Sequence, residues 1–350
     1  MSIKQNQWEN PAGTRGFGFI EFSAPEPEEL KSLFDRMGLP EVAKHKQKAI
    51  SIHQQNNIYF LINSEKSGFV SDFTSAHGPC VCSYSFEVEN AVEAYQLALS
   101  KGAKAVKESE DALALPVVEG VGGARLYFQD AAMFSALLRS EFDYFVEPVA
   151  IDSEGALHFI DHITHNVAVG GMDYWSRFYG DIFNFREIRY FNIEGKKTGL
   201  VSRALTSPCG NIRIPINESS DDKSQIAEFL EQYHGDGVQH IALCSTDLYR
   251  TVDNLKRNGL VFQDTIDAYY DLVDKRLPNH GEDVEALRGR KILIDGGDDE
   301  GLLLQIFSGN VIGPIFFEFI QRKGNKGFGE GNFQALFESI ELDQIRRGVI

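Results

Sequence analysis

The chain has 350 residues, 43% of them hydrophobic, and a formal net charge of −17. That length exceeds one ordinary core and points to two domains of about 150 to 200 residues, while the acidity argues against non-specific nucleic-acid binding, which needs clustered Lys and Arg. No apolar run reaches the roughly 18 residues of a membrane span, and the opening MSIKQNQWENP lacks the basic start and apolar stretch of a secretion signal, so a cytoplasmic protein that does not enter membranes is expected.

The first pattern, GFGFIEFSAPEPEELKSLFDRMGL, reads as a strand, a short loop and an amphipathic helix; CSYSFEVENAVEAYQLALSKGAKAV repeats that order. Cys80 and Cys82, with Cys209 and Cys244, show no zinc-finger or CxxC spacing. Cys80 and Cys82 would share one strand face, where metal or disulfide chemistry is conceivable, but two small buried apolar residues are the better expectation. A boundary is expected near the GALHF run at 155–159, dividing the chain into 1–150 and 151–350.

The same order returns as FIDHITHNV followed by GGMDYWSRFYGDIFNF, and as GVQHIAL followed by DLYRTVDNLKRNGLVF. Four related modules are therefore expected. His162 and His240 occupy matching places in the last two and are 78 residues apart, an interval that recurs from His240 to Glu318 in PIFFEFIQR. Two histidines and a carboxylate on one face of a metal form the arrangement of non-haem Fe(II) oxygenases. Laying FIEF over FIDH puts Phe22 where His162 stands, and laying SYSFEV over the His240 strand puts Ser83 or a near neighbour at the second position, so the N-terminal half is expected to have lost its ligands.

Glu318 is flanked by Phe316, Phe317, Phe319 and Ile320, and burying its carboxylate would be costly without a cation or a proton. A metal would resolve that cost; an edge position or a pairing with Arg322 is the alternative. His165 falls three residues from His162, on the opposite strand face, and suits a structural role. His158 stands at the strand entrance, about 13 Å away by strand rise. GFGEGNFQALFESIELDQ has closely spaced glycines before a helix, but the spacing is not that of a dinucleotide fingerprint.

FIDHITHNV, GVQHIAL, LLLQIF, FFEFIQRKG and GFGEGNFQALFESIE, in this order, closely resemble the 4-hydroxyphenylpyruvate dioxygenase family of the vicinal oxygen chelate superfamily. The resemblance implies an α+β fold of four βαβββ modules paired into two domains, each an open, barrel-like sheet with outer helices. It implies Fe(II) held by His162, His240 and Glu318, and conversion of 4-hydroxyphenylpyruvate and dioxygen to homogentisate and carbon dioxide in tyrosine and phenylalanine breakdown. Phe307 and Phe333 would flank the aryl ring with Phe316 nearby. Ser202, Asn217, Gln225 and Gln239 would orient the substrate, with Gln305 and Asn332 as further candidates. Core packing for the phenylalanines and an exposed first helical turn for Gln225 remain open. Gln239, next to a ligand, would face away from it in a regular strand, so its participation requires a twist.

The resemblance further implies a C-terminal helix that covers the site as a gate, and a homo-oligomer, dimer or tetramer. Phenylalanine at 307 and serine at 202 favour the homogentisate-forming enzyme over 4-hydroxymandelate synthase. A glyoxalase-like isomerase, an extradiol dioxygenase or a non-catalytic binding protein on the same modules are the more distant readings, since fold does not settle function.

Overall fold

The structure is a computed structural model that describes residues 7–106, 112–146, 155–194, 197–219, 221–297 and 300–348. Runs rich in β-branched and aromatic residues become strands. Eight form one mixed sheet: β1 (Thr14–Ser23), β2 (Glu41–His45), β3 (Ile50–Gln55), β4 (Ile58–Asn63), β5 (Cys80–Val88), β6 (Val117–Glu119), β7 (Arg125–Gln129) and β8 (Phe142–Tyr144), in the order β6-β7-β5-β1-β4-β3-β2-β8. Eight more form the second: β9 (Leu157–Val167), β10 (Arg186–Glu194), β11 (Gly199–Thr206), β12 (Arg213–Ser219), β13 (Gly237–Ser245), β14 (Leu293–Gly297), β15 (Gly301–Phe307) and β16 (Phe316–Lys323), in the order β10-β11-β12-β9-β13-β16-β15-β14. The expected boundary between residues 150 and 151 lies outside the described residues.

The repeat is visible in the pairing. β1 runs antiparallel to β5, and each lies parallel to the last strand of its own module, β4 and β7. In the second sheet β9 is antiparallel to β13, with β12 and β16 in the parallel places. One strand of the second module is reduced to a single bridge, Ala105 to Val118.

Each module's first strand feeds a helix, and polar side chains fix where several of these start. Asn90 accepts from Val92 N and Glu93 N at the start of Ala91–Ser100, and Asp247 accepts from Arg250 N at the start of Leu248–Arg257. No helix among the described residues is long and apolar enough to cross a membrane.

The two sheets share one core. Phe317 from β16 stacks on Phe60 of β4 at 5.7 Å and approaches Phe22 of β1 at 6.4 Å, and the hydroxyls of Tyr84 and Tyr179 lie 2.8 Å apart. Gly122 tightens this junction: at φ +63°, a Cβ there would stand 2.0 Å from the Asp236 carbonyl oxygen. Phe22 therefore faces the shared core. The residue of β1 at the register of His162 is Glu21, because Ser83 pairs with Glu21 and Arg125, as Ala242 pairs with His162 and Glu318. Sequence overlay misplaces Phe22 by one residue because β9 and β5 carry their irregularities at different points, and one residue of slip exchanges faces.

His165 is fully buried in the shared core, with Nε2 2.8 Å from the Tyr179 hydroxyl. Burial pushes its pKa down to about 3. Its folded value therefore lies below the ordinary one, so stability is fully present above pH ~6.5 and declines as the pH falls towards the folded value, by up to about 1.4 kcal/mol per unit. His165→Phe is expected to flatten the fall of the urea midpoint between pH 7.5 and 5; an unchanged slope assigns the acid sensitivity to other groups.

Candidate metal centre and substrate cavity

Alternation along three adjacent strands brings His162, His240 and Glu318 onto the concave face of the second sheet. Their donor atoms all lie within 4.8 Å of one another and all three residues are buried. His162 Nε2 is 3.0 Å from Glu318 Oε2 and 3.3 Å from His240 Nε2, and His240 Nε2 is 3.5 Å from Glu318 Oε2. A cation about 2.0–2.2 Å from each donor requires donor separations of roughly 3 Å when its ligands stand at right angles. The three residues fit such an ion without rebuilding the strands.

The charges favour it too. Burial raises the Glu318 pKa, but the His162 and His240 imidazoles outweigh this and hold it down at about 2. Burial likewise opposes protonation of His162, yet Glu318 and Asp161 raise its pKa, whereas burial lowers that of His240. No Lys or Arg among the described residues pairs with Glu318, which is 1% exposed. Arg322, the structural alternative, is committed elsewhere: its Nε and Nη2 donate to Asp161 at 2.7 and 2.8 Å.

Gln305 Nε2 donates to Glu318 Oε1 at 2.7 Å, and Asn332 Nδ2 donates to Gln305 Oε1 at 2.7 Å. Gln239 does reach its neighbour: its Oε1 lies 2.9 Å from His240 Nδ1 and accepts from Asn217 Nδ2 at 3.3 Å. It escapes regular alternation because it is the extra residue of a bulge, with Val238 paired to His165 and His240 to Thr164.

A cavity of about 40 Å³ opens on the trio, lined by Ser202, Asn217, Gln305, Phe307 and Phe333 together with Thr164, Phe191, Pro215, Phe328 and Leu336. Ser202 Oγ and Asn217 Oδ1 are buried without hydrogen-bond partners, two polar atoms aimed at a space an apolar group would not satisfy. Phe316 stacks on the His240 ring at 4.8 Å and 19°. Gln225, Gln239 and Phe316 border a neighbouring cavity of about 550 Å³; Gln225 is buried at the start of the helix Gln225–Tyr233, not exposed. His165 lies on the opposite face, and His158 is beside Thr246 at the strand entrance.

Residues 8–137 match the family model for the N-terminal part of hydroxyphenylpyruvate dioxygenase, and 159–272 that of the glyoxalase, bleomycin resistance protein and dioxygenase superfamily. A 4-hydroxyphenylpyruvate dioxygenase from Pseudomonas aeruginosa is 53% identical across 100% of this chain and 99% of its own length. The chain belongs to the 4-hydroxyphenylpyruvate dioxygenase family. A Vibrio vulnificus protein named hemolysin VllY is 52% identical over 97% of this chain and 98% of its own length. The structure of a mutant 4-hydroxymandelate synthase from Streptomyces coelicolor superposes with a TM-score of 0.82 at 24% identity, covering 95% of this chain and 99% of that one, a likeness of fold.

Thr164, Phe191 and Phe328 escape sequence reasoning for different reasons. Thr164 Oγ1, 3.0 Å from His240 Nε2, follows His162 by two on the same face, and period-two reading would have found it. Phe191 comes from an edge strand, and Phe328, edge-on to His162 at 5.6 Å, from the segment before the last helix; only tertiary packing of the 4-hydroxyphenylpyruvate dioxygenase fold brings them in.

Arg322 neutralises a carboxylate that is 1% exposed. Arg322→Met is expected to lower folding stability by about 3–5 kcal/mol, read from urea unfolding of metal-free protein, and a change under 1 kcal/mol would show that Arg213 alone compensates Asp161.

Proposed function

We propose that this chain converts 4-hydroxyphenylpyruvate and dioxygen to homogentisate and carbon dioxide, with His162, His240 and Glu318 as the ligands of Fe(II). The observation that carries the reading is the 53% identity over the full chain to a relative of that name, and the three converging buried donors support it. The reaction balances without a further co-reactant: both oxygen atoms of dioxygen enter the products, one in the ring hydroxyl and one in the new carboxylate. Fe(II) held there by His162, His240 and Glu318 would supply a Lewis-acidic centre for the 2-oxo acid and relay to dioxygen the electrons that the substrate itself gives up.

The protein's own groups do the rest. Phe307 and Phe333 flank the aryl ring, with Phe316 holding the His240 imidazole from behind. Ser202 and Asn217 offer their unpartnered oxygens to the substrate, Gln239 backs Asn217 and His240, and Gln225, on the neighbouring cavity, belongs to the network by the family resemblance. Gln305 and Asn332 set the Glu318 carboxylate.

At about 40 Å³ the cavity over the trio is far smaller than the roughly 300–1,000 Å³ of ordinary small-molecule pockets. In this reading the helix Glu330–Arg347, which brings Phe333 and Leu336 over the cavity beside Phe328, is the gate that withdraws to admit substrate. Its return excludes water. In this reading residues 1–150 form a domain without metal and 151–350 the catalytic one, in a cytoplasmic homo-oligomer.

Anaerobic loading with Fe(II), addition of 4-hydroxyphenylpyruvate and oxygen, and chromatography of the products test the activity. Homogentisate with one carbon dioxide per oxygen is expected; 4-hydroxymandelate would transfer the chain to the sister reaction, and no oxygen uptake by iron-loaded protein would refute the reading. His162→Ala, His240→Ala and Glu318→Ala should each abolish turnover, and near-normal turnover in one removes that residue from the ligand set. Phe333→Ala should raise KM with metal retained.

A further inference from the structure

We propose that Asp161 is a positioning residue for the metal centre, fixing the His162 ring with Nε2 inward and making His162 the stronger donor of the two imidazoles. The inference rests on the metal-site reading above. Neighbouring residues in a flat strand point to opposite faces, so an aspartate immediately before a ligand histidine should be out of its reach. The register of β9 against β13 removes that obstacle. His162 pairs with Ala242 and Ile160 with Leu243, leaving Asp161 as the extra residue of a bulge that turns its side chain to the His162 side.

Asp161 Oδ2 accepts from His162 Nδ1 at 3.0 Å and from Arg322 Nη2 at 2.8 Å; Oδ1 accepts from Arg322 Nε at 2.7 Å and from Arg213 Nη1 at 3.5 Å. Two guanidinium groups thus keep the carboxylate ionised and fixed. An ionised carboxylate only accepts hydrogen bonds, so His162 keeps a proton on Nδ1, and the neutral imidazole, the form that binds a cation, then has its lone pair on Nε2 towards the trio. Arg322 Nη1 also donates to the Gly327 carbonyl at 2.6 Å, which ties this support to the loop entering the last helix.

His240 has the same device with a different charge. Gln239 is the bulged residue there, and its neutral amide oxygen lies 2.9 Å from His240 Nδ1. One bulge before each histidine, carrying an anion in one case and an amide in the other, gives two imidazoles of unequal donor strength.

The test is the affinity of the full-length, metal-free protein for Fe(II), measured anaerobically by competition with a chelator. Asp161→Asn keeps the shape and removes the charge; its affinity should fall about ten- to hundredfold, and lost activity should return at raised Fe(II), which a merely misfolded site would not show. Gln239→Glu leaves the arginine network intact, so it reads the same principle even if Asp161→Asn does not fold; it should bind Fe(II) several-fold more tightly. Wild-type affinity in folded Asp161→Asn, or unchanged affinity in Gln239→Glu, overturns the inference and leaves the activity reading standing. Wild-type protein that binds no Fe(II) overturns both.

Discussion

The Glu318 carboxylate, buried among phenylalanines, is the constraint around which the C-terminal sheet is arranged. A carboxylate in that position stays ionised only with compensation. The two histidines supply part of it, and the one arginine close in sequence is taken by Asp161. Every strand that meets at this point contributes something that follows from that need: β9 and β13 an imidazole each, β15 the Gln305 amide, β16 the carboxylate itself. Phe317, alternate to Glu318, turns the other way and joins the two sheets, so the same short strand sets both the polar centre and the apolar junction.

The N-terminal sheet shows what the same framework does without that need. Ser83 stands between Glu21 and Arg125 where Ala242 stands between His162 and Glu318. The Ser83 hydroxyl donates to Glu21, and Asn63 Nδ2 donates to it at 2.8 Å. An acid on one strand and a base on another occupy the places of two donors, Glu21 that of His162 and Arg125 that of Glu318. Phe19, Tyr127 and Phe134 close the remaining space. The strand register is shared by the two sheets while the side chains at these places differ, and the Arg125 guanidinium lies over the Phe69 ring at 4.0 Å.

How far the sequence could be read follows from this geometry. The trio was legible because equal spacing repeats the module and because a carboxylate among phenylalanines announces a cost. Four strand-helix modules were legible from periodicity, apart from the strand reduced to the Ala105 bridge. What escaped depends on bulges and on tertiary approach. Period-two reasoning assigns Asp161 and Gln239 to the wrong face, since a bulge is a property of two paired strands and neither strand shows it alone. The same slip placed Phe22 where Glu21 belongs. The cysteines match the plain expectation: all four are free and buried, and burial lifts the thiol pKa of Cys80 and Cys244 to about 12, which leaves them unreactive.

The polar chain leading away from Glu318 joins the chemistry to the last helix. Gln305 donates to Glu318 and accepts from Asn332, Asn332 accepts from the Tyr269 hydroxyl at 2.7 Å, and Arg276 donates to that hydroxyl at 2.8 Å. Gly329, at φ +71°, lets Gln305 come this close to the start of the helix, since a Cβ there would lie 2.3 Å from its Oε1. Asn332 stands on that helix and Phe328 just before it, and Gln305 bonds to both, so the amide that donates to Glu318 is itself held from the helix side. Glu318 is thus held through Oε1 by a chain of side chains that ends in the last helix and approached through Oε2 by the two histidines, so the same carboxylate ties the trio to the helix over the cavity.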